Sequence, residues 1–493
     1  MFKKFYLLLL TLFVFFAASC SSYSPIEQSK QFGLGPYNSA SSKKYEETYG
    51  KWGAATTLEK GTEFKPEMLG LTPGSTTADV NINWYSNSDE DESVVRLFDA
   101  EGEFVRLIFG RTGVASAGKG YHKVNVKGLT AGARYKYSVS NNGVDWSEEH
   151  HYSVPAAGTF RFAIVADPQL TTGNQDSASS YFSTPSTTAK GWEEVVEKIA
   201  ESGASFIVST GDQTDAILGS EAEYANFFAP EKLRSLPFAP VVGNHDVHCP
   251  FIYHFYLPNE QNVPETCTGA GQAIVEKAGN YFYLYNNVLF IALNTSAYPS
   301  GKEDAASYIT VFENTIHAAK AAYAEKYDWI VVHHHKSTAS VAIHAADPDI
   351  QYYVEAGFEA LMTKYGIDLV LAGHDHIYVR SHLMKQDAAD AFSVKSTNGK
   401  GTIYLSLTTA SGLKYYPPFV TISKNANYPY LSDGKTGSEF LSASNPPLSM
   451  FMQSQKMTPE YTIVDVDGKS MTVTTYGSHG VVDRFTFSPT LAK

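Results

Sequence analysis

Five apolar runs between residues 160 and 371 each end on side chains of the kind that bind metal ions. Phe160 to Ala166 runs into Asp167-Pro168-Gln169, and Ser205 to Ser209 into Gly211-Asp212-Gln213-Thr214-Asp215. Phe238 to Val242 delivers Gly243-Asn244-His245-Asp246, Trp329 to Val332 delivers His333-His334-His335, and Ile367 to Leu371 delivers Gly373-His374-Asp375-His376. Between them lie helical patterns. Trp192, Val195, Val196 and Ile199 recur at helical spacing within residues 191–202, and further helices are expected near 308–326 and 354–364. Residues 281–284 and 288–293 flank Tyr285-Asn286-Asn287 as a hairpin. Strands alternating with helices give a layered α/β domain, and such domains place their sites outside the carboxyl ends of the strands.

The rest of the chain brackets that domain. Lys3 and Lys4, the apolar run Leu7 to Phe16 and the small residues Ala17-Ala18-Ser19 form a targeting segment over residues 1–20. The apolar run is too short for an ordinary membrane span. The ending on Cys20, followed by Ser21-Ser22, resembles a bacterial lipoprotein signal with Cys20 as the lipidated residue; a secretion signal cleaved near Ala18 is the alternative. An extracytoplasmic, membrane-anchored protein on the periplasmic or cell-surface side is the expectation. Residues 21–60 read as a tether. Residues 61–156 read as all-β, with alternation at Asp79 to Trp84 and at His122 to Val126, suggesting a small sandwich. Beyond Arg380 the sequence turns β-rich again, interrupted by a Pro-, Tyr- and Ser-rich stretch from Lys414 to Asn445 that reads as a surface excursion. These last strands complete the second domain, taken as residues 157–493.

The formal net charge of -13 argues against a nucleic-acid partner or adhesion to anionic lipid. It does not exclude a phosphate substrate, because a bound metal inverts the local sign. Cys249 and Cys267, the two cysteines after Cys20, read as a disulfide in an oxidising compartment, contributing on the order of 3 kcal/mol if unstrained. The donor mix of the five stretches suits Mn, Fe or Zn. Two ions about 3.5–4 Å apart require a bridging carboxylate, and Asp212, at a strand end behind a glycine, is the natural bridge.

The order D…GDxxD…GNHD…VxxH…GHxH resembles the calcineurin-like metallophosphoesterase superfamily. The upstream module resembles the fibronectin-type-III-like domain that precedes the catalytic domain in purple acid phosphatases, and His344-Ala345-Ala346-Asp347-Pro348-Asp349 narrows the likeness to bacterial members of that type. The resemblance implies two packed mixed β-sheets flanked by helices, with two divalent or trivalent ions. Asp167, Asp212 and His376 would hold the first ion, and Asp212, Asn244, His335 and His374 the second. His245 would serve the leaving group, oriented by Asp246. The chain departs from the pattern twice. Asp215 stands where purple acid phosphatases have the tyrosine that bonds ferric iron, so the protein should not be purple. Gln169 stands where the wider superfamily often has histidine, and it is expected to offer its carbonyl oxygen to the first metal.

Other residues carry two readings each. His334 faces away from the site or contacts substrate, and His344 contacts substrate or lies on the surface. Asp215 caps a turn or supports a ligand; Asp375 supports ligands; Arg380 pairs with an acid; His248 and His254 receive no role. Phosphomonoester hydrolysis is the expected reaction. Alternatives are a phosphodiesterase acting on nucleotides or phospholipid headgroups, and a non-catalytic phosphate- or glycan-binding lipoprotein. The sequence leaves oligomeric state open.

Overall fold

The computed structural model describes residues 65–87, 91–115, 118–143, 145–172, 188–217, 219–261, 278–324, 326–385, 394–396, 399–412, 414–416 and 450–489. The leader, Cys20, the tether, Cys267 and most of the stretch from Lys414 to Asn445 lie outside the described residues.

The N-terminal region is all-β, as its alternation predicts. Its strands are β1 (Glu67–Pro73), β2 (Val80–Ser86), β3 (Val94–Asp99), β4 (Phe104–Phe109), β5 (Arg111–Val114), β6 (Gly120–Val126), β7 (Arg134–Ser140) and β8 (His150–Ser153). They form two four-stranded sheets, ordered β1-β2-β6-β5 and β4-β3-β7-β8. Trp84 is buried against the ring of His122 at 4.7 Å, and its indole N–H donates to Asn141 Oδ1 at 2.8 Å. Burial lowers the His122 pKa to about 3, so this histidine is a neutral core group.

The second domain runs β9 (Phe160–Val165), α1 (Thr188–Glu201), β10 (Ile207–Ser209), α2 (Glu221–Phe227), β11 (Phe238–Ala239), α3 (Cys249–His254), β12 (Tyr281–Tyr285), β13 (Val288–Leu293), α4 (Lys302–Ala322) and β14 (Trp329–Lys336). It continues with α5 (Pro348–Glu355), α6 (Phe358–Tyr365), β15 (Leu369–Gly373), β16 (Tyr378–Ser381), β17 (Met384–Lys385), β18 (Val394–Lys395), β19 (Ile403–Ser406), β20 (Met450–Ser454), β21 (Tyr461–Asp467), β22 (Ser470–Gly477) and β23 (Gly480–Phe487).

Two mixed sheets result, ordered β11-β10-β9-β21-β22-β23 and β12-β13-β14-β15-β19-β16-β20. Parallel pairing holds β9, β10 and β11 together in the first, and β13, β14, β15 and β19 in the second. The C-terminal strands close the first sheet, with β21 antiparallel to β9. Aromatic side chains fill the space between the sheets. Phe206 lies 4.3 Å from Tyr285 and 5.3 Å from Phe290, and Phe162 meets Phe290 edge-on at 5.1 Å. Strand β13 is buried along its whole length because α4 covers its other face, which is why it reads as an unbroken apolar run. Trp192 of α1 stacks on Phe227 at 5.4 Å and donates to the Phe227 carbonyl.

Three local expectations change. The histidine-bearing strand is eight residues long and runs through Lys336, with a register shift between His333 and Lys336. The single helix expected near 354–364 is two, α5 and α6, because Gly357 takes a left-handed φ of 96° that ends one and opens the other. Lys414, Tyr415 and Tyr416 are not surface residues but sit half-buried to buried beside the strand ends.

Candidate metal centre

The strand ends meet at one point. Beyond β9 and β10 the chain stays zipped by backbone hydrogen bonds, Gln169 N to Asp212 O at 2.8 Å and Leu170 N to Gln213 O at 3.1 Å. This carries Asp167 and Asp212 outward side by side. Asn244 follows β11, His335 lies within β14, and His374 and His376 follow β15 directly. Nine described non-glycine residues have positive φ, and five of them are Asp167, Gln169, Asp212, His374 and His376. Non-glycine residues in this region cost of order 1–3 kcal/mol each and cluster at functional sites. Strain concentrated on five candidate ligands means that the surrounding fold, not local preference, aims these side chains.

Three motif glycines make the room. A Cβ on Gly243 would overlap Asp212 Oδ1, and one on Gly373 would overlap Asp167 Oδ2. One on Gly211 would stand 2.7 Å from His335 Nδ1, at a φ of 104°.

The atoms brought together are lone-pair donors. His335 Nδ1 lies 2.8 Å from the Thr210 carbonyl, which can only accept, so that nitrogen carries the proton. His335 Nε2 then faces Asn244 Oδ1 at 2.8 Å, His374 Nδ1 at 3.1 Å and Asp212 Oδ2 at 3.3 Å. One proton could serve one of these acceptors but not all three. His376 Nδ1 donates to the Lys414 carbonyl at 3.0 Å, freeing Nε2, which lies 3.5 Å from Asp167 Oδ1. Asp167 also accepts from the His374 N–H at 2.9 Å. Gln169 Nε2 lies 3.2 Å from Asp212 Oδ2, while its buried carbonyl oxygen has no hydrogen-bond partner among the described residues. Converging acceptors and an orphaned buried carbonyl fit metal cations.

The electrostatics agree. Burial holds His374 and His376 well below the usual histidine range, so both are neutral and ready to coordinate. Burial pushes Asp167 up to about 8, with Asp212 adding to the rise and His335 opposing it. Burial also raises Asp212, but His335 and His245 outweigh it and hold that carboxyl below its ordinary value. His335 behaves inversely: burial would lower it, and Asp212 raises it to about 9.

Asp246 is not placed to orient His245. The turn folds back, with Asp246 N donating to Gly243 O at 3.0 Å, and this aims the buried carboxylate at the N–H groups of Gly243 (2.9 Å) and Gln213 (3.1 Å). The His245 ring is instead held by Asp215: Nδ1 contacts the Asp215 carbonyl, and the Asp215 carboxylate lies 3.9 Å away. His245 N donates to Asp212 Oδ1 at 2.9 Å, and its Nε2 lies 4.0 Å from Asp212 Oδ2.

Strand alternation separates the three histidines of β14. His333 and His335 face the other sheet, bonding to Ser209 O and Thr210 O. His334 points the opposite way, against Phe358 at 4.8 Å, and does not join the cluster. His344 does reach the rim: its ring lies 4.3 Å from that of His374, with Nδ1 2.7 Å from Asp347 Oδ2. Asp375 holds this loop, accepting from the N–H groups of Ala342 (3.0 Å) and His344 (2.9 Å). Arg380 pairs with Asp483, Nε to Oδ2 at 2.6 Å. Cys249 is buried at the head of α3.

Sequence reading missed Lys414 and Tyr416. Lys414 Nζ lies 3.1 Å from Asp215 Oδ1, and the Tyr416 ring packs on His344 and His376 at 5.2 and 5.1 Å. Nothing in Gly412-Leu413-Lys414-Tyr415-Tyr416 signals a site, since neither periodicity nor motif marks it.

Residues 160–378 match the calcineurin-like phosphoesterase family, and residues 66–153 match the purple acid phosphatase N-terminal domain. The chain therefore carries a calcineurin-like phosphoesterase domain, a hydrolase of phosphate esters from a family that binds two metals. In front of it in the sequence lies a domain that matches the purple acid phosphatase N-terminal domain. The fold is shared with purple acid phosphatase PPD1 from yellow lupin (Lupinus luteus) seeds, at 17% identity and a TM-score of 0.59, covering 86% of this chain and 74% of that one. It is also shared with PhoD, at 11% identity and a TM-score of 0.53, covering 88% of this chain and 94% of that one. No curated protein sequence matches the chain.

Proposed function

We propose that the protein is a phosphomonoesterase working outside the cytoplasm, tethered through a lipidated Cys20 and stapled by a Cys249–Cys267 disulfide. The observation that carries the catalytic part is the convergence of lone-pair donors on His335 Nε2, built from backbones strained to reach it. Asp167, Gln169, Asp212 and His376 would hold one metal ion, and Asp212, Asn244, His335 and His374 the other. Fe, Mn and Zn all suit this donor set. Bound there, the ions would supply Lewis acidity toward phosphate oxygens and a lowered pKa for water.

The chain's own residues supply the rest. His245, held through Nδ1 by the Asp215 carbonyl, presents Nε2 toward the site to protonate a leaving oxygen. His344 and Tyr416 form one wall of the mouth, and Asp375 fixes that wall by two backbone hydrogen bonds. The monoester preference is supported by the purple acid phosphatase N-terminal domain. The membrane anchor is supported by the sequence of residues 1–20; among the described residues no helix is long and apolar enough to cross a membrane.

The test is hydrolysis of an aryl phosphate monoester and of the matching diester by protein loaded with Mn, Fe or Zn. Monoester turnover, abolished in Asn244→Ala and His374→Ala, is expected. No turnover of either ester with any of the three metals would overturn the enzymatic reading.

A further inference from the structure

The first metal position is poor in negative charge. Its candidate ligands are two carboxylates, Asp167 and Asp212, the second shared with the neighbouring ion, together with the neutral Gln169 and His376. A cation stands beside them. The Lys414 carbonyl accepts from His376 Nδ1 at 3.0 Å, so this residue touches the ligand imidazole from behind. Its ammonium turns to Asp215 Oδ1 at 3.1 Å, and both side chains are only about one-fifth exposed, at 20% and 19%. The segment cannot swing away cheaply. Gln455 Nε2 donates to both His376 O (2.8 Å) and Tyr416 O (2.7 Å), pinning the strand end to the residues that follow Lys414.

We propose that Lys414 sets the charge of the first metal site. Its ammonium, steered by Asp215, loosens that site and biases it toward a divalent ion over a trivalent one. The geometry makes Asp215 the counterweight: its carboxylate offsets the ammonium, while its carbonyl orients His245. Repulsion from a fixed positive charge grows with the charge of the bound ion, so a trivalent ion is penalised more than a divalent one. Asp215 Oδ1, which holds the ammonium, lies 3.9 Å from His245 Nδ1, and His245 Nε2 lies 4.0 Å from Asp212 Oδ2, so the charge stands beside the cluster. This inference rests on reading Asp167, Gln169, Asp212 and His376 as the ligands of one ion.

The test is calorimetric titration of metal-stripped full-length protein with Mn²⁺. Lys414→Met should tighten one of the two dissociation constants on the order of tenfold, the effect of removing one nearby charge in a partly solvated site. Asp215→Asn should weaken the same constant by a similar factor, and the double variant should return close to wild type. Lys414→Arg, which keeps the charge, should bind as wild type does. His376→Ala identifies the affected site by removing it. If Mn²⁺ binds at two sites but Lys414→Met leaves both constants within twofold of wild type, or if Asp215→Asn tightens binding, the inference falls while the metal reading stands. If wild type binds no Mn²⁺, Fe or Zn, the metal reading falls and takes the inference with it.

Discussion

Gly243→Ala isolates the steric logic of the site, because the glycine has an ordinary φ and the substitution adds only a methyl group. That methyl would overlap both Asp212 Oδ1 and the Asp212 backbone nitrogen. The carboxylate has nowhere free to retreat. Oδ1 accepts from His245 N at 2.9 Å, and Oδ2 lies 3.2 Å from Gln169 Nε2 and 3.3 Å from His335 Nε2. A hydrogen bond to a charged group contributes roughly 1.5–3 kcal/mol, so losing one or two of these should destabilise the stripped protein by about 2–4 kcal/mol. Displacing the bridging ligand should also weaken Mn²⁺ binding by roughly 10–100-fold. Urea unfolding and calorimetric titration read the two effects separately. Gly301→Ala is the control, since a Cβ there meets nothing within 4 Å. Wild-type stability and metal affinity in Gly243→Ala would show that the glycine is not what makes room for the Asp212 carboxylate.

Glu460 is buried with neither carboxylate oxygen hydrogen-bonded among the described residues, and burial raises its pKa to about 8. A raised folded-state pKa means that this group favours folding below its unfolded value near 4.5, and that the advantage is lost as pH climbs through 8. Glu460→Gln should therefore flatten the decline of Tm between pH 5 and 8, a slope of up to about 1.4 kcal/mol per pH unit; an unchanged slope would contradict the assignment. Phe206→Ala removes the ring that joins the two sheets and should cost about 3–5 kcal/mol in urea unfolding. Asp375→Ala frees the loop that presents His344 and should raise KM for an aryl phosphate severalfold while the metal content stays at the wild-type level. A loss of metal would instead make Asp375 part of the ligand shell.

The β9, β10, β13 and β15 strands were legible because apolar runs ending on polar motifs have few alternatives in a layered α/β domain. The ligand motifs were legible for the same reason: all but His335, which lies within β14, sit one to five residues past a strand. The failures share a cause. The orientation of Asp246 depends on a turn that folds the chain back on itself, and adjacency in sequence suggested a contact with His245 that the turn prevents. Lys414 and Tyr416 reach the site from a stretch with no periodicity, brought there by β19 and by Gln455, so only the assembled sheets reveal them. His334 shows that alternation along a strand, once its extent is known, decides which face a residue takes.

If two ions at this cluster perform ester hydrolysis, adding back metal to chelator-stripped protein should restore hydrolysis of an aryl phosphate. Activity near zero without metal, rising to saturation at two equivalents per chain, is the expected result. Activity that is indifferent to metal, or that saturates at one equivalent, would contradict it.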